Sequence, residues 1–274
     1  MRRLLGKVSY PLRAQTVAPI EVFAGFTGLA IANNGVDATN DIDIAVGACV
    51  SNDAAIADRV LMSLTSALTK QLDAAWAVGT NAGMRDTGVI ANAWWHIFLI
   101  KRTDTGVVDV LASQSFSSPT MPTNYDKRKW IGAIRRNAGA IETFNQHHDE
   151  FLRNAVELDV NQVSSVGTSA VTRTLTVPTG LKVWAMCRHA LRVTGNAADF
   201  VVISSLDVSD EVASVSNATV GAREQAAANI TYGAASVTVR TNTSGQVRER
   251  HSDGDANSVF SLTTIGWSVN RAEV

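Results

Sequence analysis

Charged side chains are scarce in this chain, 18% of 274 residues, against about 25% in an ordinary soluble domain. Lys and Arg number 24 and Asp and Glu 25. With no basic excess to neutralise phosphates, nucleic acid is not an expected partner. Cysteine is nearly absent too. Cys49 and Cys187 lie far apart and match no Cys-x-x-Cys spacing, so both read as small buried residues and neither as a metal ligand. No stretch reaches the ~18 apolar residues of a membrane-spanning helix, and membrane insertion is not expected. The opening MRRLLGKVSYPLRAQ starts as a secretory signal would, but Lys7, Ser9, Tyr10, Arg13 and Gln15 interrupt its apolar run. GxSxG, P-loop, HExxH and dinucleotide fingerprints are all missing, so the sequence nominates no catalytic residue and no cofactor.

Apolar residues supply 46% of the chain, which leaves Ser, Thr, Asn, Ala and Gly to cover the surface. A thinly charged surface suits a protein packed against copies of itself. The length is that at which one core gives way to two domains. Residues 1–24 carry Arg2, Arg3, Lys7 and Arg13 ahead of Glu21, with Pro11 and Pro19 breaking any helix; they read as an extended basic arm for anchoring.

Beyond the arm, short apolar runs alternate with Gly, Asn, Asp and Pro, the pattern of an all-β chain. IDIAV (42–46), WWHIFLIKR (94–102), VVDVLAS (107–113) and WIGAIRR (130–136) are the clearest strands of the first half. ALTKQLDAAWAVG (67–79) is rich in helix formers and predicts one or two helical turns. In the second half, strands are expected at 170–177, 181–193, 199–208 and 259–269, with a hairpin closing SVTVRT on QVRER through Asn242-Thr243-Ser244-Gly245. The expected architecture is two antiparallel β-sandwich, jelly-roll-like domains, 25–158 and 159–274. Strand 94–102 is apolar on both faces, which implies a cover, either a second subunit or the other domain.

Asp-Thr-Gly occurs twice, at 86–88 and 104–106, and is the tripeptide around the catalytic carboxylate of aspartic proteases. A dyad needs its carboxylates ~3 Å apart, whereas a straight strand 94–102 would hold these roughly 30 Å apart. The flanks Arg85, Thr103, Val89 and Val107 are also wrong for a protease. Turns are the expectation: Asp bonding the backbone two residues on, Gly supplying positive φ. HHDE (147–150) alternates faces along a strand and makes no metal site by itself. DGDAN (253–257) starts like a calcium loop, but Ser258 and Thr264 stand where Gly and Glu are required. Asp37, Asp41 and Asp43 read as turn and cap residues. A glycosidase pair of carboxylates is assembled in space and is not legible here. DKRKWIGAIRR (126–136) sets Lys127, Arg128, Lys129, Arg135 and Arg136 around Trp130. This is a candidate face for an anionic glycan or another subunit, with a guarded sheet edge as the plainer alternative.

The succession DATNDIDIA, LTKQLDAAWAVGTNAG, DTGVIAN, HIFLIKRTDTGVVDVLAS, PTMPTNYDKRKWIGAIRR and DEF, then TSAVTRTLTVPTGLKV, resembles a group of tailed-bacteriophage and prophage virion proteins, tail-fibre-like or head- and collar-fibre-like. The resemblance runs from about residue 28 to 193. It implies a structural protein made in the bacterial cytoplasm and located on the virion as a fibre, spike or decorating protein. It further implies a homotrimer joined to portal, tail, collar or capsid proteins and contributing to attachment at a host surface glycan. The alternatives it leaves are a glycan-degrading tailspike enzyme and a purely structural collar or adaptor protein. It brings no catalytic residues.

Overall fold

A computed structural model describes residues 25–195, 197–224 and 230–274. The basic arm, with Arg2, Arg3, Lys7 and Arg13, lies outside the described residues. The chain is all-β, built of sandwiched sheets. The first half supplies β1 (Phe26–Gly28), β2 (Ile31–Asn33), β3 (Asp41–Ile44), β4 (Gly47–Val50), β5 (Leu61–Leu64), β6 (Leu68–Ala75), β7 (Ala82–Arg85), β8 (Trp94–Lys101), β9 (Val108–Ser113), β10 (Lys127–Asn137) and β11 (Ala140–Ile141). The second supplies β12 (Phe144–His147), β13 (Glu150–Val163), β14 (Val171–Thr174), β15 (Trp184–Thr194), β16 (Ala198–Ser204), β17 (Val220–Arg223), β18 (Ile230–Arg240), β19 (Gln246–His251) and β20 (Ser258–Ser268). They form four sheets, ordered β1-β4-β5, β11-β10-β8-β9-β7-β6-β3-β2, β12-β13-β20-β15-β18 and β14-β19-β16-β17. Pairing is antiparallel except where the short β7 runs parallel to β6 and β9.

The eight-stranded sheet is the centre of the molecule because β8 is apolar on both sides. Trp95, Ile97 and Leu99 pack with Ile42, Met62, Leu72 and Met84 beneath the three-stranded sheet. Phe98 and Ile100 face the other way, into a core with Phe151, Leu191, Phe260 and Trp267 of the second half. The cover that β8 demanded is thus the chain's own second half. Phe151 and Trp267 stack at 4.0 Å in that core, and Trp130 lies 6.2 Å from Trp267. The expected break between residues 158 and 159 falls inside β13, whose pairing with β20 runs from Glu150↔Ser268 to Val163↔Phe260.

Two local expectations need correction. Residues 68–75 form β6, where the helical turns were expected. Lys70 and Leu72 point inward two residues apart, and β3 pairs along 68–71, so tertiary pairing overrides the helix propensity of Ala, Leu, Lys and Gln. Residues 242–245 do form a tight turn, with Gly245 N donating to Asn242 O, but they do not close a hairpin. β18 pairs with β15 whereas β19 pairs with β14 and β16, so the turn carries the chain from one sheet to the facing one. Cys49 and Cys187 are buried free thiols, each pushed up to about 12 by burial.

Candidate functional site: an aromatic cleft bordered by both Asp-Thr-Gly turns

The β6–β7 connection begins at Trp76. Its backbone N–H bonds Arg85 O (2.8 Å), and Ala77 N bonds Gly83 O (3.0 Å). Beneath it, Lys70 is fully buried and donates to Ala77 O, Gly79 O and Asp109, the last at 3.0 Å. Asp109 in turn accepts from Gly79 N at 2.7 Å. Burial holds the Lys70 ammonium below its usual range, opposed by the Asp109 carboxylate. A buried ion pair of this kind is weak evidence for stability, but here it clamps the loop that carries Trp76.

Trp76 is itself fixed. Its indole N–H donates to Val110 O (3.0 Å), and Tyr125 meets it edge to face at 5.0 Å. Around the half-buried ring opens a cleft of about 610 Å³, lined also by Val78, Asp86, Arg102, Thr105, Val107, Thr120, Met121, Pro122 and Thr123. Apolar walls with a few oriented polar groups are the usual make-up of a ligand pocket.

Both Asp-Thr-Gly tripeptides border this cleft, and both are turns. Asp86 accepts from Thr87 N (2.7 Å) and Thr120 N (3.1 Å), so it ties the 120s wall to the end of β7. Asp104 makes a two-pronged pair with Arg102 (2.7 and 3.0 Å), which holds its carboxyl below the usual carboxylate range. Gly106 N donates to Arg102 O (2.9 Å), closing the β8–β9 hairpin. Gly88 and Gly106 have φ of +72° and +76°, where a side chain would be strained. Asp104 is engaged within its own turn and Asp86 by its turn and by Thr120 N, and the two share no partner.

The basic patch is dispersed along β10. Trp130 is 1% exposed; its N–H donates to His96 Nδ1 (3.2 Å), and burial pushes His96 down to about 4. No face of that indole is open to a sugar. Lys127 pairs with Asp53 (2.8 Å), and Arg128 donates to Ser117 O (2.8 Å). The buried Lys129 donates to the carbonyls of Ala272 and Val274. Arg135 pairs with Glu142 and Glu157, and Arg136 donates to Asn92 Oδ1 and Gly139 O. The six residues are not gathered into one anion site; they fasten β10 to its neighbours.

His147 and His148 sit edge to face at 4.4 Å on the β12–β13 turn, at the rim of a second cavity reaching Phe26 and Arg271. Asp255 accepts from Asn257 N (2.7 Å) within its turn. No group of three or more His, Cys, Asp or Glu among the described residues converges on a metal position.

Sequence reasoning missed Trp76 because it was absorbed into the expected helix. The available signal was position: of six tryptophans, it alone stands just ahead of a turn-rich stretch, Val-Gly-Thr-Asn (78–81), while the others lie in strands. Neither a protein-family model nor a curated protein sequence matches this chain.

Proposed function

We propose that this protein is a structural component of a tailed-phage or phage-like particle that works by assembly and binding, and that the Trp76 cleft holds a glycan of the host surface. The setting comes from the virion-protein resemblance of residues 28–193. The site comes from one observation: an indole locked by its own N–H to Val110 O and flanked by Arg102, Asp86 and threonine hydroxyls. A rigid aromatic plane beside fixed polar groups suits a sugar ring, which offers an apolar face and hydroxyls around its edge, and it loses little entropy on binding.

Binding is favoured over cleavage, since glycoside hydrolysis uses two carboxyls about 5–9.5 Å apart. Among the described residues Asp86 is the single carboxylate lining the cleft, and it already accepts two backbone N–H groups. The homotrimer implied by the resemblance draws no support from β8, whose second face is covered within the chain. A glycan array tests the reading. Reproducible hits that Trp76→Ala weakens by roughly ten-fold or more, about 1.4 kcal/mol, are expected. Hits untouched by that change would move the site elsewhere, and an empty array would leave the purely structural adaptor.

A further inference from the structure

β18 is the edge of its sheet, and its outer side is built to be paired. All eleven residues, Ile230–Arg240, match β15 without a register break, from Trp184↔Arg240 to Thr194↔Ile230. The ladder's phase follows from its end, where Thr241 N donates to Val183 O (2.9 Å). Odd-numbered residues of β18 therefore face β15, and the N–H and C=O groups of Ile230, Tyr232, Ala234, Ser236, Thr238 and Arg240 point away from it. Among the described residues no strand pairs with that side. β17 crosses beneath β18 and not beside it: the carbonyl of Gly221 lies 2.5 Å from where a Cβ on Gly233 would stand.

Edges left open in monomers are usually guarded by charge, proline or a bulge. Residues 230–239, ITYGAASVTV, have no charge and no proline, and the ladder shows no bulge. Tyr232 is 70% exposed and Ile230 50%.

We infer that β18 pairs antiparallel with β18 of a second copy of this chain, about a two-fold axis at Ala235, to make one continuous ten-stranded sheet. Three observations select a second copy over an unrelated strand. With the axis at Ala235 the outward-facing residues meet each other in register, Ala234 against the partner copy's Ser236 position, Tyr232 against Thr238 and Ile230 against Arg240, so all six contribute and roughly a dozen backbone bonds form. Small side chains at Ala234 and Ser236 flank the axis, where the copies approach most closely. The same register sets Tyr232 diagonally beside the other copy's Arg240, a cation on an aromatic face; Tyr232 is exposed, and Arg240 is half exposed while it also pairs with Asp207 at 2.8 Å. This interface goes beyond the proposed glycan cleft, which lies in the other half.

The test is the mass of the full chain in solution by light scattering at tens of micromolar. Twice the 29.2 kDa chain mass, or an even multiple of it, is expected. Ser236→Pro removes an outward N–H without touching the β15 ladder and should halve the mass. Ala234→Lys places two like charges diagonally across the axis and should do the same should the proline variant fail to fold. Circular dichroism and the melting temperature should match the parent for the lysine variant. A monomeric parent, a trimer, or a folded Ala234→Lys protein that keeps the parent's mass would each overturn the proposal. Glycan binding by a folded monomeric variant separates this interface from the cleft.

Discussion

His251 is enclosed by two carboxylates inside the second half. Asp199 Oδ2 contacts its Nδ1 at 2.5 Å, Glu249 Oε1 its Nε2 at 3.2 Å, and Arg173 grips Glu249 from the other side (2.8 and 2.9 Å). Burial alone would lower the imidazole pKa; the bonds to Asp199 and Glu249 outweigh it and raise it to about 9 from 6.5. Since the folded value lies above the unfolded one, the stabilisation is complete below pH ~6.5 and fades as pH rises toward about 9, on the order of 3 kcal/mol in all. Asp199 and Glu249 titrate low, each by its bond to His251 against the cost of burial, so their share is present above about pH 4.5 and lost on acidification. Thermal melts should therefore decline from pH ~6.5 toward 9, and His251→Gln should flatten this alkaline limb, while below pH ~6.5 the charging of His96 and His189, both held down to about 4 by burial, removes stability. A parent protein whose melting temperature is level from pH 6.5 to 9 would refute the assignment. At the same scale, Asp86→Asn should cost at most ~1 kcal/mol in denaturant melts, and Asp104→Asn should leave the midpoint close to the parent's, because its pair with Arg102 is open to solvent. That both tripeptides are turns with glycine at positive φ was legible because it is local; the bond from Thr120 N to Asp86, 34 residues away, was not. The burial of Trp130 and the half-open setting of Trp76 were not, because each depends on which distant strand lies against the ring.

At the scale of elements, β6 and β8 teach opposite lessons. The two-faced apolar pattern of β8 was readable from its period of two, and its demand for a cover was met. For β6, Lys70 in an apolar strand looked like a helix former. It is a buried cation whose partner, Asp109, sits on β9, a strand that β6 does not pair with, β7 lying between them. Lys70→Met should cost about 3–5 kcal/mol by leaving the Asp109 carboxylate buried without its cation, along with the carbonyls of Ala77 and Gly79. Denaturant melts measure that loss. Trp76 fluorescence would shift as its loop is released, and an unchanged midpoint would show that the clamp is not needed.

At the scale of the whole molecule, two β-sandwich domains were expected from length and strand spacing, and the chain is all-β and sandwiched. The second-half core reaches into the central sheet through Phe98, Ile100, Leu111 and Trp130, and Arg271 donates to the carbonyls of Leu29 and Ile131 in the first half. One calorimetric unfolding transition is expected as a result, and Trp267→Ala, which removes the ring stacked on Phe151, should cost about 3–5 kcal/mol and lower the melting of both halves together. Two separate transitions, with only one shifted, would contradict that. The pattern of side chains along a strand reveals that a face is buried. It does not name the strand that buries it, and so the all-β class and the need for a cover on β8 were legible while the covering strands, β13, β15 and β20, were not.

Arg271 and Lys129 also set a schedule for synthesis. Leu29, Ile131 and Lys129 leave the ribosome early, yet the side chain and carbonyls that complete them belong to residues 271–274. At ~5–20 residues per second, the first half waits on the order of ten seconds with the second face of β8 uncovered. A nascent chain that stops before β15 and β20 are made would present that face to its neighbours on the polysome, so aggregation during translation, and dependence on a holding chaperone, should rise steeply with termination ahead of those strands.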